Sequence, residues 1–130
     1  MSQHELLQLR LAVQRNPADF IAWVMLADTE LDVGDARAGL AAVQRAMALR
    51  PGHPEALARL GRAYWALGRH AEAVPPLQRA SALAPEHPGM ALWLGHALED
   101  ANEAEAAAQA YERAYRLMPE EGAFAAYLLN

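Results

Sequence analysis

Apolar residues recur along the chain in three- and four-residue steps, and the pattern itself then recurs. Trp23, Leu26 and Ala27 stand at i, i+3 and i+4, with Glu30 at i+7. Leu57, Leu60, Gly61 and Tyr64 repeat the spacing, as do Ala91, Leu94, Gly95 and Leu98. Such spacing lines one face of an α-helix, so each run predicts a first helix in which Glu30 alone breaks the apolar rule. A second series predicts a second helix after each first: Gly39, Val43, Ala46, Leu49; then Ala73, Leu77, Ala80, Leu83; then Ala107, Tyr111, Ala114, Leu117. Everything advances by 34 residues, including Pro17, Pro51, Pro85 and Pro119. A fixed period of this size means one helix-turn-helix unit stacked on copies of itself. The small residues in these columns let helix axes approach closely.

The punctuation between helices keeps the same interval. Gly34, Gly68 and Asn102 follow the first helices, and these residue types accept the left-handed conformation that ends a helix. Asp35 and Glu103 then place negative charge where the next helix exposes free N–H groups. The periodic prolines close the second helices, while Pro54 and Pro88 sit in the first turn of the helix that follows. Two positions conflict with the pattern. Pro75 and Pro76 fall inside a second helix counted from about His70, and a tolerated first-turn pair is the favoured reading over a change in superhelical curvature that widens the groove. Glu30 requires a partner, such as an arginine of the next first helix, or exposure on the rim.

Composition narrows the function classes. The chain has 130 residues and is 54% hydrophobic, enough for one domain with a thin, alanine-rich core. Net charge is −5, and all 11 basic residues are arginine, so no basic stripe for nucleic acid is supplied. Cysteine is absent, which removes disulfides, thiolate catalysis and thiolate metal sites while leaving the redox compartment open. The opening MSQHELLQLR is polar, so neither a signal peptide nor a membrane span is expected, and a cytoplasmic protein of bacterial type is the default expectation.

The columns Trp23/Leu57, Leu26/Leu60/Leu94, Ala27/Gly61/Gly95, Tyr64, Ala73/Ala107 and Ala46/Ala80/Ala114, with the closing prolines, resemble the tetratricopeptide repeat (TPR). The resemblance covers about Asp19 to Pro119. It implies an all-α, right-handed α-solenoid of antiparallel helix pairs, forming a single domain over residues 1–130. Its parts would be a half repeat (1–18), three full repeats (19–53, 54–87 and 88–121) and the truncated start of another (122–130). In that last segment Phe124, Tyr127, Leu128 and Leu129 have nothing beyond them to cover, so they are the expected self-association edge, and the chain reads as a fragment of a longer protein. The stretches HPEALARLGRAYW and LAPEHPGMALWLGHALEDANEAEAAAQAYERAYRLMPEE and the final YLLN further resemble the N-terminal repeats of bacterial O-linked N-acetylglucosamine transferase homologues. That resemblance implies attachment to a two-lobed glycosyltransferase using UDP-N-acetylglucosamine. None of the transferase's own site residues transfers to this chain, which by itself is expected to be no enzyme.

In such a solenoid the first helices line a groove able to hold an extended segment or a helix. By register the groove residues are Val24, Met25, Asp28 and Asp32, then Arg59, Arg62 and Trp65, then Leu92, Trp93, His96 and Asp100. Trp65 and Trp93 are the expected anchors, since tryptophan is enriched among interface hot spots, although packing against a neighbouring first helix would explain them equally well. Arg59 and Arg62 flank them as donors to carboxylates or peptide carbonyls, and solvated arginine is the plainer alternative. The carboxylate clamp of chaperone-binding repeats is not matched at Val24 and Asp28. The asparagine ladder of eukaryotic O-linked N-acetylglucosamine transferases is replaced by Met25, Arg59 and Trp93. His53 and His87 look like a metal pair but supply two ligands where zinc takes three or four, so neither metal nor cofactor is expected. Asp28 and Asp32 share a helix face without the histidine or second polar cluster that acid–base work would need. The sequence thus predicts a module that binds a protein or peptide in its groove. The alternative is a structural solenoid that forms a homodimer through its C-terminal edge without a specific peptide ligand.

Overall fold

The computed structural model describes residues 2–118. They form seven α-helices and no strand: α1 (Ser2–Arg15), α2 (Phe20–Asp32), α3 (Ala36–Leu49), α4 (Pro54–Ala66), α5 (His70–Leu83), α6 (Pro88–Asp100) and α7 (Ala104–Leu117). Each helix packs on its neighbours in the chain, and the first helices of successive units also meet, α2 on α4 and α4 on α6. This is a right-handed α-solenoid of antiparallel helix pairs. Pro119 and the proposed edge residues Phe124, Tyr127, Leu128 and Leu129 lie outside the described residues.

The turns follow the expected chemistry. Gly34, Gly68 and Asn102 have φ of 91°, 77° and 64°. In each turn the next amide reaches back to a carbonyl of the last helical turn: Asp35 N to Glu30 O at 2.9 Å, Arg69 N to Tyr64 O at 2.9 Å and Glu103 N to Leu98 O at 2.8 Å. The left-handed residue makes that closure geometrically possible and satisfies a carbonyl the helix would leave unpaired. Asp35 caps α3 by accepting from Ala38 N at 3.0 Å, whereas Glu103 makes no side-chain cap bond. The two histidines that resembled a metal pair are caps as well. His53 Nδ1 accepts from Glu55 N and His87 Nδ1 from Met90 N, each at 3.2 Å, just ahead of Pro54 and Pro88 in the first helical position.

Helices within a pair approach closely because glycine leaves room. A Cβ on Gly95 would stand 2.7 Å from the Tyr111 ring, one on Gly39 would stand 2.8 Å from Leu31 Cγ, and one on Gly61 would overlap Leu77. Ala27, Ala46, Ala63, Ala73, Ala80, Ala97 and Ala114 have no exposed area, nor has Leu77.

Three expectations are corrected. Glu30 pairs backward, not forward: Arg10 of α1 donates to both its carboxylate oxygens, at 3.2 and 3.1 Å. Pro75 and Pro76 are not a first-turn pair, because α5 begins at His70 and runs through them to Leu83. The carbonyls of Ala71 and Glu72 therefore receive no helical N–H, but both residues are exposed, which leaves them open to solvent instead of stranded in the core. Leu49 and Leu83 are exposed despite their packing columns, since each is the last residue of its helix and no further turn encloses it. Among the described residues no helix is long and apolar enough to cross a membrane.

Candidate protein-binding face

The aligned first helices α2, α4 and α6 carry a continuous row of charged and aromatic side chains. At one end Arg59 of α4 forks onto Asp28 of α2, Nε to Oδ1 and Nη2 to Oδ2, both at 2.9 Å, while its Nη1 donates to Glu55 at 2.7 Å. Burial works against the Arg59 charge, but the hydrogen bond to Asp28 and the two carboxylates outweigh it and push its pKa up. Arg62, one turn further on, donates to Asp32 at 2.7 Å and to Asp28 at 3.4 Å. Its guanidinium carbon lies 5.2 Å from the centre of the Trp93 ring. Two carboxylates thus hold a cation over an indole, an arrangement favoured by the ring's negative face.

From Trp93 the row continues in aromatic contacts. Trp65 of α4 meets Trp93 edge-to-face at 5.2 Å and donates its Nε1 to Asp100 at 2.7 Å. Trp93 and His96 are 5.7 Å apart, and His96 meets Tyr111 of α7 at 5.5 Å. Tyr111 crosses beneath α6 because Gly95 has no side chain, so its hydroxyl lies 3.0 Å from His96 Nδ1 and donates to Glu99 at 2.8 Å. Burial holds the His96 pKa below its ordinary value, against the opposing pull of Glu99 and Asp100. Burial likewise raises that of Tyr111, reinforced by Glu99.

Between Arg62, Trp93 and the start of α6 lies an open recess of about 260 Å³, with Asp28, Asp32 and Arg59 on one wall and His87 and Met90 on the other. The face offers donors, acceptors and ring surface for a ligand to lie against. Among the described residues no three histidine, aspartate or glutamate side chains are grouped to hold a metal ion.

The structure brings together Asp28, Asp32, Arg59, Arg62, Trp65, Trp93, His96 and Asp100. Met25 is exposed at the edge of α2. Val24 and Leu92 do not face a groove. Val24 is 7% exposed and packs with Phe20, Ala46 and Ala56, and Leu92 is 4% exposed beside Ala91 and Ala114. Each first helix is flanked by its own partner and by first helices of adjoining units, so its free arc is narrower than register alone implies. Residues missed in the sequence reading are Glu55, Met90, Glu99 and Tyr111. Glu55 was legible as the i−4 partner of Arg59, and Tyr111 as the large residue opposite Gly95.

The sequence signature of the tetratricopeptide repeat matches residues 24–88 and 73–126, and the chain belongs to that family. Its fold is similar to those of solved MamA structures. A form of MamA from Desulfovibrio magneticus RS-1, described as residue 41 to the end, superposes with a TM-score of 0.81 at 23% identity, covering 95% of this chain and 70% of that one. A double mutant of RS-1 MamA gives 0.80 at 23% over the same shares. A further MamA crystal structure gives 0.77 at 23%, over 88% of this chain and 67% of the other. At such identities the likeness is one of fold. No curated protein matches the chain in sequence.

Proposed function

We propose that the face of α2, α4 and α6 binds a segment of a partner protein, making this chain a protein-interaction scaffold without catalytic activity of its own. The observation that carries the reading is Arg62 held over Trp93 by Asp28 and Asp32 beside the recess. The cation and ring are already ordered, so a ligand that packs on them loses little of its binding energy to immobilising side chains. Extended segments that offer an apolar side chain to the recess and backbone groups to the polar row fit this surface. The test is selection of peptides from a random display library on the intact chain, followed by fluorescence polarisation of the selected peptides with Trp93→Ala. Selected peptides that bind the variant unchanged would refute the reading.

The finer reading, that this scaffold serves a glycosyltransferase using UDP-N-acetylglucosamine, is supported by the resemblance of residues 53–65, 83–121 and 127–130 to the repeats of bacterial transferase homologues. The genomic sequence that follows the codon for Asn130 tests it: a frame continuing into a two-lobed transferase supports the reading, and a stop codon or an unrelated domain rejects it.

A further inference from the structure

The charge balance of the α2–α4–α6 face defines the chemistry of its partner, an inference that rests on reading that face as a peptide-binding surface. Its two guanidiniums are already engaged. Arg59 gives Nε, Nη1 and Nη2 to Asp28 and Glu55, and Arg62 gives both terminal nitrogens to Asp28 and Asp32. Against these two cations the face carries five carboxylates, those of Asp28, Asp32, Glu55, Glu99 and Asp100. Three negative charges are therefore unbalanced. His96 does not offset them at neutral pH, because burial disfavours its charged form. Asp32 and Asp100 are also the last residues of α2 and α6, where the helix macrodipole is itself negative.

The two indoles of the row differ in how this charge is answered. Trp93 has its cation from within the chain: Arg62 lies 5.2 Å from its ring centre, held there by Asp28 and Asp32. Trp65 has only the carboxylate, its Nε1 donating to Asp100 Oδ2 at 2.7 Å. Among the described residues no arginine stands over its ring. Arg62 is committed to Trp93, and Arg69 turns to Tyr64, 4.7 Å from that ring's centre, while pairing with Glu72. The rings around Trp65 are those of Trp93, His96 and His70, with centres 5.2, 6.3 and 6.4 Å away, and the indole is only partly buried. Indole and carboxylate thus meet here without the guanidinium that completes the same arrangement beside Trp93.

We propose that the partner segment is basic and lays an arginine side chain on Trp65 against Asp100, supplying the cation that this half of the row lacks. A guanidinium stacks on an indole face while its fork donates to a carboxylate, which a lysine ammonium does not match. Asp100 accepts from Trp65 through Oδ2, which leaves Oδ1 to receive the fork. The unbalanced acids draw a basic segment towards the face and repel an acidic one.

The experiment titrates N-acetylarginine methylamide, and its uncharged isostere N-acetylcitrulline methylamide, into the ¹⁵N-labelled full chain at low ionic strength. Saturable movement of the Trp65 indole N–H signal is expected, with the arginine probe at least about threefold tighter than the citrulline probe. Asp100→Asn keeps an oxygen for the Trp65 N–H but removes the charge, and is expected to weaken the arginine probe at least about threefold. Glu5→Gln, at an exposed acid on α1, loses the same net charge and should bind it as the wild type does. Peptides selected on the intact chain should contain arginine and weaken when citrulline replaces it. No saturable shift, equal binding of the two probes, or unchanged binding by Asp100→Asn would overturn the inference. Selected peptides that require Trp93 yet contain no arginine would overturn it too and leave the binding face standing. Selected peptides indifferent to Trp93, with the arginine probe still bound at Trp65, would remove the reading of the face and keep the cation site.

Discussion

Arg10 of α1 donates through one nitrogen to both carboxylate oxygens of Glu30 on α2, and the Glu30 side chain is only 6% exposed while Arg10 is 51% exposed. The pair joins α1 to the first complete unit across a position that the repeat pattern reserves for an apolar residue. Removing only the arginine strands a buried acid. Arg10→Ala is expected to lose about 1–3 kcal/mol of unfolding free energy. Replacing both partners by Met and Leu is expected to restore most of it. Urea titration of the two variants checks this, and a double variant less stable than Arg10→Ala would contradict it.

Gly61→Ala sets helix propensity against packing. Alanine gains about 1 kcal/mol over glycine in an exposed helix interior. At Gly61, however, the new Cβ overlaps Leu77, which has no exposed area and nowhere to move. Overpacking of this kind costs about 1–3 kcal/mol, so a net fall in Tm is expected. A rise would show that α4 and α5 can separate freely.

His96 gives the solenoid a pH response of defined sign. Burial holds its pKa below the ordinary 6.5, against the opposing pull of Glu99 and Asp100. The unfolded chain therefore binds the proton more readily than the folded one. The stability contributed by neutral His96 is complete above about pH 6.5 and is lost as pH falls through the lower folded value. Unfolding free energies of wild type and His96→Gln, measured between about pH 8 and about pH 5, should diverge on the acid side, with the wild type falling more steeply. Parallel curves would remove His96 from the account.

Trp93→Ala is expected to weaken peptides selected on the α2–α4–α6 face by at least about 2 kcal/mol, roughly thirtyfold in Kd. Met25→Ala, at the exposed edge of α2, should change their Kd less than about threefold. Fluorescence polarisation with one labelled peptide measures both, and the reverse order would relocate the contact.

The repeat architecture was legible because its signals are local. The left-handed φ at Gly34, Gly68 and Asn102 follows from residue types that tolerate it, and the close packing at Gly39, Gly61 and Gly95 follows from small residues recurring in register. Neighbours across units were harder to read. Helical register says which way Val24 and Leu92 point but not how far the adjoining first helix wraps round, and both proved buried. It likewise left the partner of Glu30 undetermined between the helix before and the helix after. For Trp65 and Trp93, the equal weighting of anchor and packing reflected a real duality: the rings pack on each other across α4 and α6, yet both remain half-buried. Pro75 and Pro76 were misplaced because their tolerance depends on exposure of the carbonyls before them, which proline count alone does not reveal.

Among the described helices, α4 alone touches α2, α3, α5 and α6. It acts as a keystone. Fraying that starts at either terminus must strip α1 or α7 before reaching it, so its amide protons should exchange with solvent last. A protease cut in the turn at Gly68 would instead part α4 from α5, the most extensively packed pair among the described helices, leaving neither half with a complete set of neighbours.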